Sequence, residues 1–334
     1  MRIKKNFGVI LGVMAVGILL VFLTPAQADE WPTRPITFIV PFNAGGSADT
    51  MARGLASFLG SELDIAIKVI DRPGASSMVG TLAFLSQKDD GYTVFVGTQP
   101  YISNSIIFHG AKYKLDDFDF INIEQIDPCT VAVHADSPHK KLSELIEAIK
   151  ASPGKLSIGT IFGGSPYLAY MILAEKLNLN VRIVTYEGGG PYRTALLGKH
   201  VDFVCGTAAG DQVMKPNARI LALFDDEPFK GWPEAELVNE VLRPYGVKVP
   251  NIASVRFAAV HKTFKAKHPE RYEKLVETYK KVYKSKVYQR FIEKIGNADV
   301  SRWMGPEKAN AYMKEFHGLT LQYQDRIRPP EKKK

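Results

Sequence analysis

Ile36-Thr37-Phe38-Ile39-Val40-Pro41-Phe42-Asn43-Ala44-Gly45-Gly46-Ser47-Ala48-Asp49 is the stretch on which the reading of the whole chain turns. Its first five residues are β-branched or aromatic and stop at Pro41, the pattern of a strand. Ser47 then caps a helix in which Met51, Leu55, Phe58 and Leu59 share one face. Between strand and helix, Gly45 and Gly46 carry no side chains. Their backbone N–H groups can therefore converge on an anionic oxygen, and the helix adds the positive end of its dipole. In an open α/β sheet the carboxyl end of a strand is where ligands bind. A plain tight turn is the simpler interpretation of the same glycines. The loop has neither a G-x-G-x-x-G run nor a P-loop lysine, so a nucleotide phosphate fits it poorly.

Outward from this unit the pattern repeats. Lys68-Val69-Ile70 reads as a strand, Ser77 to Leu85 as a helix and Tyr92 to Val96 as the next strand. Such alternation implies right-handed crossovers and a mostly parallel sheet. A second series follows, with strands at Thr130 to Val133, Leu156 to Ile158, Arg182 to Thr185, Asp202 to Val204 and Arg219 to Phe224. Its helices fall at Leu142 to Lys150, Tyr167 to Leu177 and Tyr192 to Leu197. Two such sets predict an α/β, bilobal architecture of two parallel-rich sheets flanked by helices, with a ligand cleft between the lobes. The chain is expected to cross between lobes near Asp127-Pro128 and again between Pro250 and Arg256. That assigns 29–126 with 253–334 to one lobe and 127–252 to the other. Pro269 to Arg328 reads as helical, with Tyr272, Leu275, Val276, Tyr279 and Val282 on one stripe.

Three further loops occupy positions like that of Gly45-Gly46. They are Gly97-Thr98-Gln99-Pro100-Tyr101, Gly159-Thr160-Ile161-Phe162-Gly163-Gly164-Ser165-Pro166 and Tyr186-Glu187-Gly188-Gly189-Gly190-Pro191. Each is weak alone. Glycine turns at strand ends in both halves together imply an anion held between two lobes.

The ends of the chain speak to compartment. Arg2, Lys4 and Lys5 precede an apolar run from Phe7 to Leu23, then Pro25 and Ala26-Gln27-Ala28. This predicts a cleaved export signal over 1–28. An uncleaved anchor is the rival, because the run exceeds the roughly 7–15 residues usual for such a signal. No later segment approaches the roughly 20 apolar residues that span a bilayer. The net charge is +8, three of it from Arg2, Lys4 and Lys5, and the remaining basic residues are interspersed with acids. Lys332-Lys333-Lys334 reads as a solvated terminus, so no nucleic-acid partner is expected, although the balance suits anions. Cys129 and Cys205 allow a disulfide in an oxidising compartment or two buried thiols. No histidine stands at ligand spacing from either, so no metal or other cofactor is expected.

Several short motifs, in order, resemble the extracytoplasmic binding proteins of tripartite tricarboxylate transporters, the Bug family. They are Trp31-Pro32-Thr33-Arg34-Pro35-Ile36, Pro41 to Asp49 with Ala52-Arg53, Asp71-Arg72-Pro73-Gly74-Ala75, Asp90-Gly91-Tyr92-Thr93, Pro153-Gly154-Lys155-Leu156, and Tyr186 to Pro191 running on to Leu197-Gly198 and Val201-Asp202. The resemblance implies a Venus-flytrap (periplasmic-binding-protein) fold, a carboxylate held by loop amides and bridging waters without an obligatory arginine, and delivery to membrane permease subunits. Departures fall at Ser76-Ser77-Met78, where glycines are more usual, at Tyr167, where histidine is common, and at Arg193, where an apolar residue is frequent. They leave the distal half of the ligand open.

The candidate ligand-binding residues are Phe42, Asn43, Gly45, Gly46, Ser47, Asp49, Thr98 and Tyr101 in one lobe, and Thr160, Gly163, Gly164, Ser165, Tyr186 and Gly188 in the other. Asp49 reads first as a helix-favouring first-turn acid, with ligand contact as the alternative. Arg193 reads first as an exposed helix arginine, with pairing to a second ligand carboxylate as the alternative. Arg256 reads as a neighbour of the crossing that can face the cleft. Four or five charge-assisted contacts at roughly 1.5–3 kcal/mol each, less the loss of ligand freedom, reach the roughly −8 kcal/mol of micromolar binding. No nucleophile–base set and no Gly-x-Ser-x-Gly is present, so no catalysis is expected. The expectation is a monomeric periplasmic solute-binding protein that captures a small carboxylate for a transporter. A periplasmic sensing subunit and an exported enzyme using the same cleft are the alternatives.

Overall fold

Ile36–Val40 (β1) is buried along almost its whole length, and alternate side chains feed two different cores. Ile36, Phe38 and Val40 belong to one, Ile39 to the other. A strand apolar on both faces requires helices on both faces. The computed structural model of the chain describes residues 30–186 and 188–327. Helix Ser47–Leu63 (α1) covers the first face, burying Met51, Leu55 and Leu59. β1 pairs in parallel with Ile67–Asp71 (β2) and, across helix Met78–Leu85 (α2), with Thr93–Gln99 (β3). Helix Tyr101–Phe108 (α3) follows β3 directly.

Phe118–His134 (β4) is a 17-residue strand and the backbone of the molecule. Beyond it come helix Leu142–Ala151 (α4), strand Ser157–Ile161 (β5), helix Ser165–Leu177 (α5), strand Arg182–Tyr186 (β6), helix Gly189–Leu197 (α6) and strand Phe203–Thr207 (β7). β5 pairs in parallel with both β6 and β7. Ala218–Leu223 (β8), Glu236–Leu237 (β9), helix Val238–Leu242 (α7) and Ala253–His261 (β10) complete the sheet, ordered β2-β1-β3-β10-β4-β7-β5-β6 with β8 and β9 branching from β4. The fold is thus the bilobal α/β one, parallel toward its outer strands and antiparallel where β10 and β4 meet their neighbours.

β4 changes partners midway. Phe118 to Pro128 pairs with β10, and Cys129 to His134 pairs with β7 and β8. Asp127-Pro128, where the chain is expected to cross between lobes, lies inside this continuous strand at the point where its partners change. Pro128 is tolerated because the β10 pairing ends there and only its carbonyl is needed, accepting from the Ala208 N–H at 2.9 Å. β3 and β5 also run further than expected, so Gly97-Thr98-Gln99 and Gly159-Thr160-Ile161 are strand rather than loop.

The C-terminal region is helical but interrupted. Phe264–Lys267 (α8), Pro269–Lys284 (α9) and Lys286–Lys294 (α10) precede Gly305–Gln322 (α11) and Gln324–Ile327 (α12). The expected stripe on α9 is buried throughout. Between α10 and α11 the chain pairs with β4 instead: Ile126 N–H donates to the Val300 carbonyl at 2.9 Å and Arg302 N–H to the Glu124 carbonyl at 2.8 Å. Cys129 and Cys205 are both buried, unpaired thiols. No helix among the described residues is long and apolar enough to cross a membrane. The signal expected over 1–28 and the lysines at 332–334 lie outside the described residues.

Glu124 is buried within this junction, where the hydroxyls of Tyr279 and Tyr288 each donate to its carboxyl at 2.5 Å. Burial pushes its pKa up from 4.5 to about 7, the two tyrosines only partly offsetting the desolvation. The folded protein therefore keeps a proton that the unfolded chain releases, and stability falls as pH rises through that window. Glu124→Gln should flatten this fall, by roughly 3 kcal/mol relative to the wild type, in urea unfolding compared at pH 4.5 and pH 7.

Candidate functional site

The same local construction appears once in each half of the molecule. After β1, Gly45 has φ +78°, Gly46 is the extended N-cap and Ser47 begins α1. After β5, Gly163 has φ +70°, Gly164 is the extended N-cap and Ser165 begins α5. In both, the N-cap glycine N–H closes a turn, to Asn43 O at 3.4 Å and to Ile161 O at 3.0 Å. A positive φ at the third turn position requires glycine. The first amides of each helix, unpaired within it, are left facing outward with the positive end of the dipole.

These two turns border one cleft of about 540 Å³. α6 adds a third helix start, at Gly188-Gly189-Gly190, and Thr98 and Tyr101 close one side. Among the described residues, the wall carries two arginines, Arg193 and Arg256, and no carboxylate. A shallower depression of about 660 Å³ along α1 and β2 is larger, but it contains Arg53 and Asp64 with no converging helix starts. Chemistry, not volume, singles out the cleft between the turns.

Of the expected ligand residues, Phe42, Asn43, Gly45, Gly46, Ser47, Thr98, Tyr101, Gly164, Ser165 and Gly188 line this cleft. Asp49, Thr160, Gly163 and Tyr186 do not. The Asp49 carboxylate turns back to accept from the Gly45 N–H at 2.7 Å and to meet Arg53 Nε at 2.7 Å. Desolvation opposes its ionisation, but the Gly45 amide and Arg53 hold its pKa below the ordinary value. Its place is to fix the loop, and in doing so it takes up the Gly45 amide. Thr160 is fully buried within β5. Tyr186 packs its ring against Gly159. The Gly163 carbonyl accepts from the Asn104 side chain, linking the second turn to α3. Ser165 Oγ likewise donates to the Gln99 carbonyl at 3.3 Å. Ser47 does not cap its helix; its hydroxyl accepts from Arg256 Nε at 2.8 Å.

Arg256, only 7% exposed, forms the floor. Its Nη1 donates to Gln125 Oε1 at 3.1 Å, and Nη2 lies 3.7 Å from Asp127 Oδ2. Burial lowers its pKa, with Asp127 partly restoring it. Asp127 also accepts from Ala209 N–H at 2.8 Å, so floor and far wall share one carboxylate. Arg193 is not the exposed helix arginine that its position suggests. Its Nε donates at 2.9 Å to Asp211, a fully buried carboxylate that also accepts from Tyr192 OH at 2.5 Å and Thr130 Oγ1 at 3.1 Å. Sequence reasoning had no signal for Thr207, Gly210 and Ser254 in the cleft wall, nor for Asp211 behind Arg193, because nothing local marks a residue placed only by tertiary packing.

A cleft between two lobes, ringed by helix starts, defines the class of bilobal solute-binding proteins. The sequence matches the family described as "Tripartite tricarboxylate transporter family receptor" over residues 51–314, and the chain belongs to that family. BugT of Bordetella pertussis is 29% identical over 232 residues, covering 68% of this chain and 71% of its own length. Among solved structures, the periplasmic binding protein BugD superposes with a TM-score of 0.73 at 23% identity, over 89% of this chain and 98% of BugD. MatC of Rhodopseudomonas palustris, solved with bound malate, gives 0.70 at 18% identity, over 89% of this chain and all of its own (100%).

Gly206 on β7 makes room for the Asp211 seat: a Cβ there would stand 2.1 Å from Asp211 Oδ2 and 2.6 Å from Tyr192 OH. Gly206→Ala should cost about 1–3 kcal/mol in urea unfolding by overpacking. Gly190→Ala, with nothing within 4 Å of the added carbon, should instead stabilise α6 by up to about 1 kcal/mol.

Proposed function

We propose that the protein captures a small carboxylate in this cleft in the periplasm and delivers it to the permease subunits of a tripartite tricarboxylate-type transporter. The observation that carries the reading is the repeated Gly-Gly-Ser turn, one in each half, each opening a helix at the same cleft. Amides at helix starts bind carboxylates without requiring an arginine or a metal. Phe42, Asn43, Gly46, Ser47, Gly164, Ser165 and Gly188 are the residues proposed to surround the proximal carboxylate, with Thr98 and Tyr101 beside its body. Gly45 is proposed to act through the shape of the turn, since Asp49 occupies its amide.

Family membership supports the receptor role, and malate in MatC supports the ligand class. Export through a cleaved signal over 1–28 fits the periplasmic setting of BugD. The lobes are taken as 29–126 with 253–334 and 127–252, acting as a monomer. Ligand that touches both helix starts favours the closed arrangement because it makes more contacts there, and the closed form is what the permease would read. The reading assigns the protein no catalytic step.

A thermal-shift and calorimetry panel of mono-, di- and tricarboxylates, with their neutral amides as controls, tests it. Carboxylates should raise unfolding free energy by about 2.7 kcal/mol at a hundredfold excess over Kd, and amides should not. Ser165→Phe, which places a ring between α5 and the Gln99 carbonyl, should weaken the best ligand at least about tenfold. A panel in which no carboxylate binds overturns the function, whereas undiminished binding by the variant removes that turn from the site.

A further inference from the structure

The terminal amines of Arg193 stand in a seat built from glycine. A Cβ on Gly189 would lie 2.7 Å from Nη1 and 2.9 Å from Nη2, and one on Gly210 would lie 2.5 Å from Nη2. A side chain at either glycine would therefore force the guanidinium to shift. From below, buried Asp211 takes Nε, and Asp211 itself is braced by Tyr192 and Thr130. Arg193 and both glycines of the seat line the cleft. The other cleft arginine is differently placed: Arg256 spends Nε on Ser47 and Nη1 on Gln125, and its Nη2 faces Asp127.

Pairing with Asp211 uses Nε alone, and Arg193 with the two glycines that pack on its terminal amines lines the cleft. A planar guanidinium held through Nε in a cleft wall is suited to reading a carboxylate bidentately with its terminal amines. We propose that Arg193 is the specificity-determining residue of the cleft, receiving a second ligand carboxylate and selecting dicarboxylates over monocarboxylates of the same length. This rests on the carboxylate reading above, the first carboxylate lying at the paired Gly-Gly-Ser turns. A cleft of about 540 Å³ leaves space for such a ligand together with bridging waters.

Calorimetry of the purified protein with matched pairs, succinate against butyrate and glutarate against pentanoate, tests the assignment. The wild type should bind at least one dicarboxylate about tenfold or more tighter than its partner, the factor expected of one desolvated charge-assisted contact. Arg193→Met should bring the members of each pair to within about threefold of each other. Gly189→Ala keeps the charge but its methyl meets the guanidinium, and it should shrink the same ratio; it carries the test if Arg193→Met fails to fold. A wild type without dicarboxylate preference, or variants that keep the wild-type ratio, overturns the role of Arg193 and leaves carboxylate binding standing. A wild type that binds neither these pairs nor any acid of the wider panel brings down the carboxylate reading, and this one with it.

Discussion

The long strand β4 is the constraint from which the rest of the structure follows. It hydrogen-bonds to β10 through Pro128 and to β7 and β8 from Cys129 onward, so both halves of the molecule hang on one backbone. The cleft opens beside the point where it changes partners. Gln125 and Asp127, just before that point, hold Arg256, and Asp127 reaches on to Ala209. The two glycine turns and the start of α6 are thereby brought to one gap from three separate strand ends. The pairing of Val300 to Arg302 with the same part of β4, and the tyrosines of α9 and α10 closing on Glu124, tie the C-terminal helices to this junction as well.

Within the cleft, electrostatics are arranged by subtraction. Every carboxylate found near it among the described residues is occupied: Asp49 by Gly45 and Arg53, Asp127 by Ala209 and Arg256, Asp211 by Arg193, Tyr192 and Thr130. The lining itself carries helix-start amides and two arginines but, among the described residues, no carboxylate. Helix dipoles contribute most where solvent is displaced, and their effect is confined to the first turn, so the cleft attracts anions over a short range. The hydrogen bonds from Asn104 to Gly163 and from Ser165 to Gln99 hold the two sides together in the same region.

Much of this was legible in the residues. The Gly-Gly-Ser turns at 45–47 and 163–165, the helices they open and the buried stripe of α9 all follow from local rules: glycine for positive φ, and helical spacing of apolar side chains. The misreadings share one cause. Gly97 and Gly159 argued for loops, and Arg193 for an exposed position, because each was judged by its neighbours in sequence. In the fold, Pro128 sits where pairing changes hands, and Gly97 and Gly159 make room for Phe257 and Tyr186. Asp49 closes back on its own loop. Arg193 is the clearest case: its helix position says exposed, while Asp211, eighteen residues on, and the glycines at 189 and 210 place it in the wall.

The sequence by itself determined the class of fold, the alternation of strand and helix, and the two glycine turns able to present amides, since all of these depend on short-range sterics and periodicity. Only the tertiary structure decided that the turns face one gap, that β4 runs unbroken between the halves, and which charges pair with which. Those are consequences of strand order and packing between residues far apart in the chain, and no local pattern encodes them.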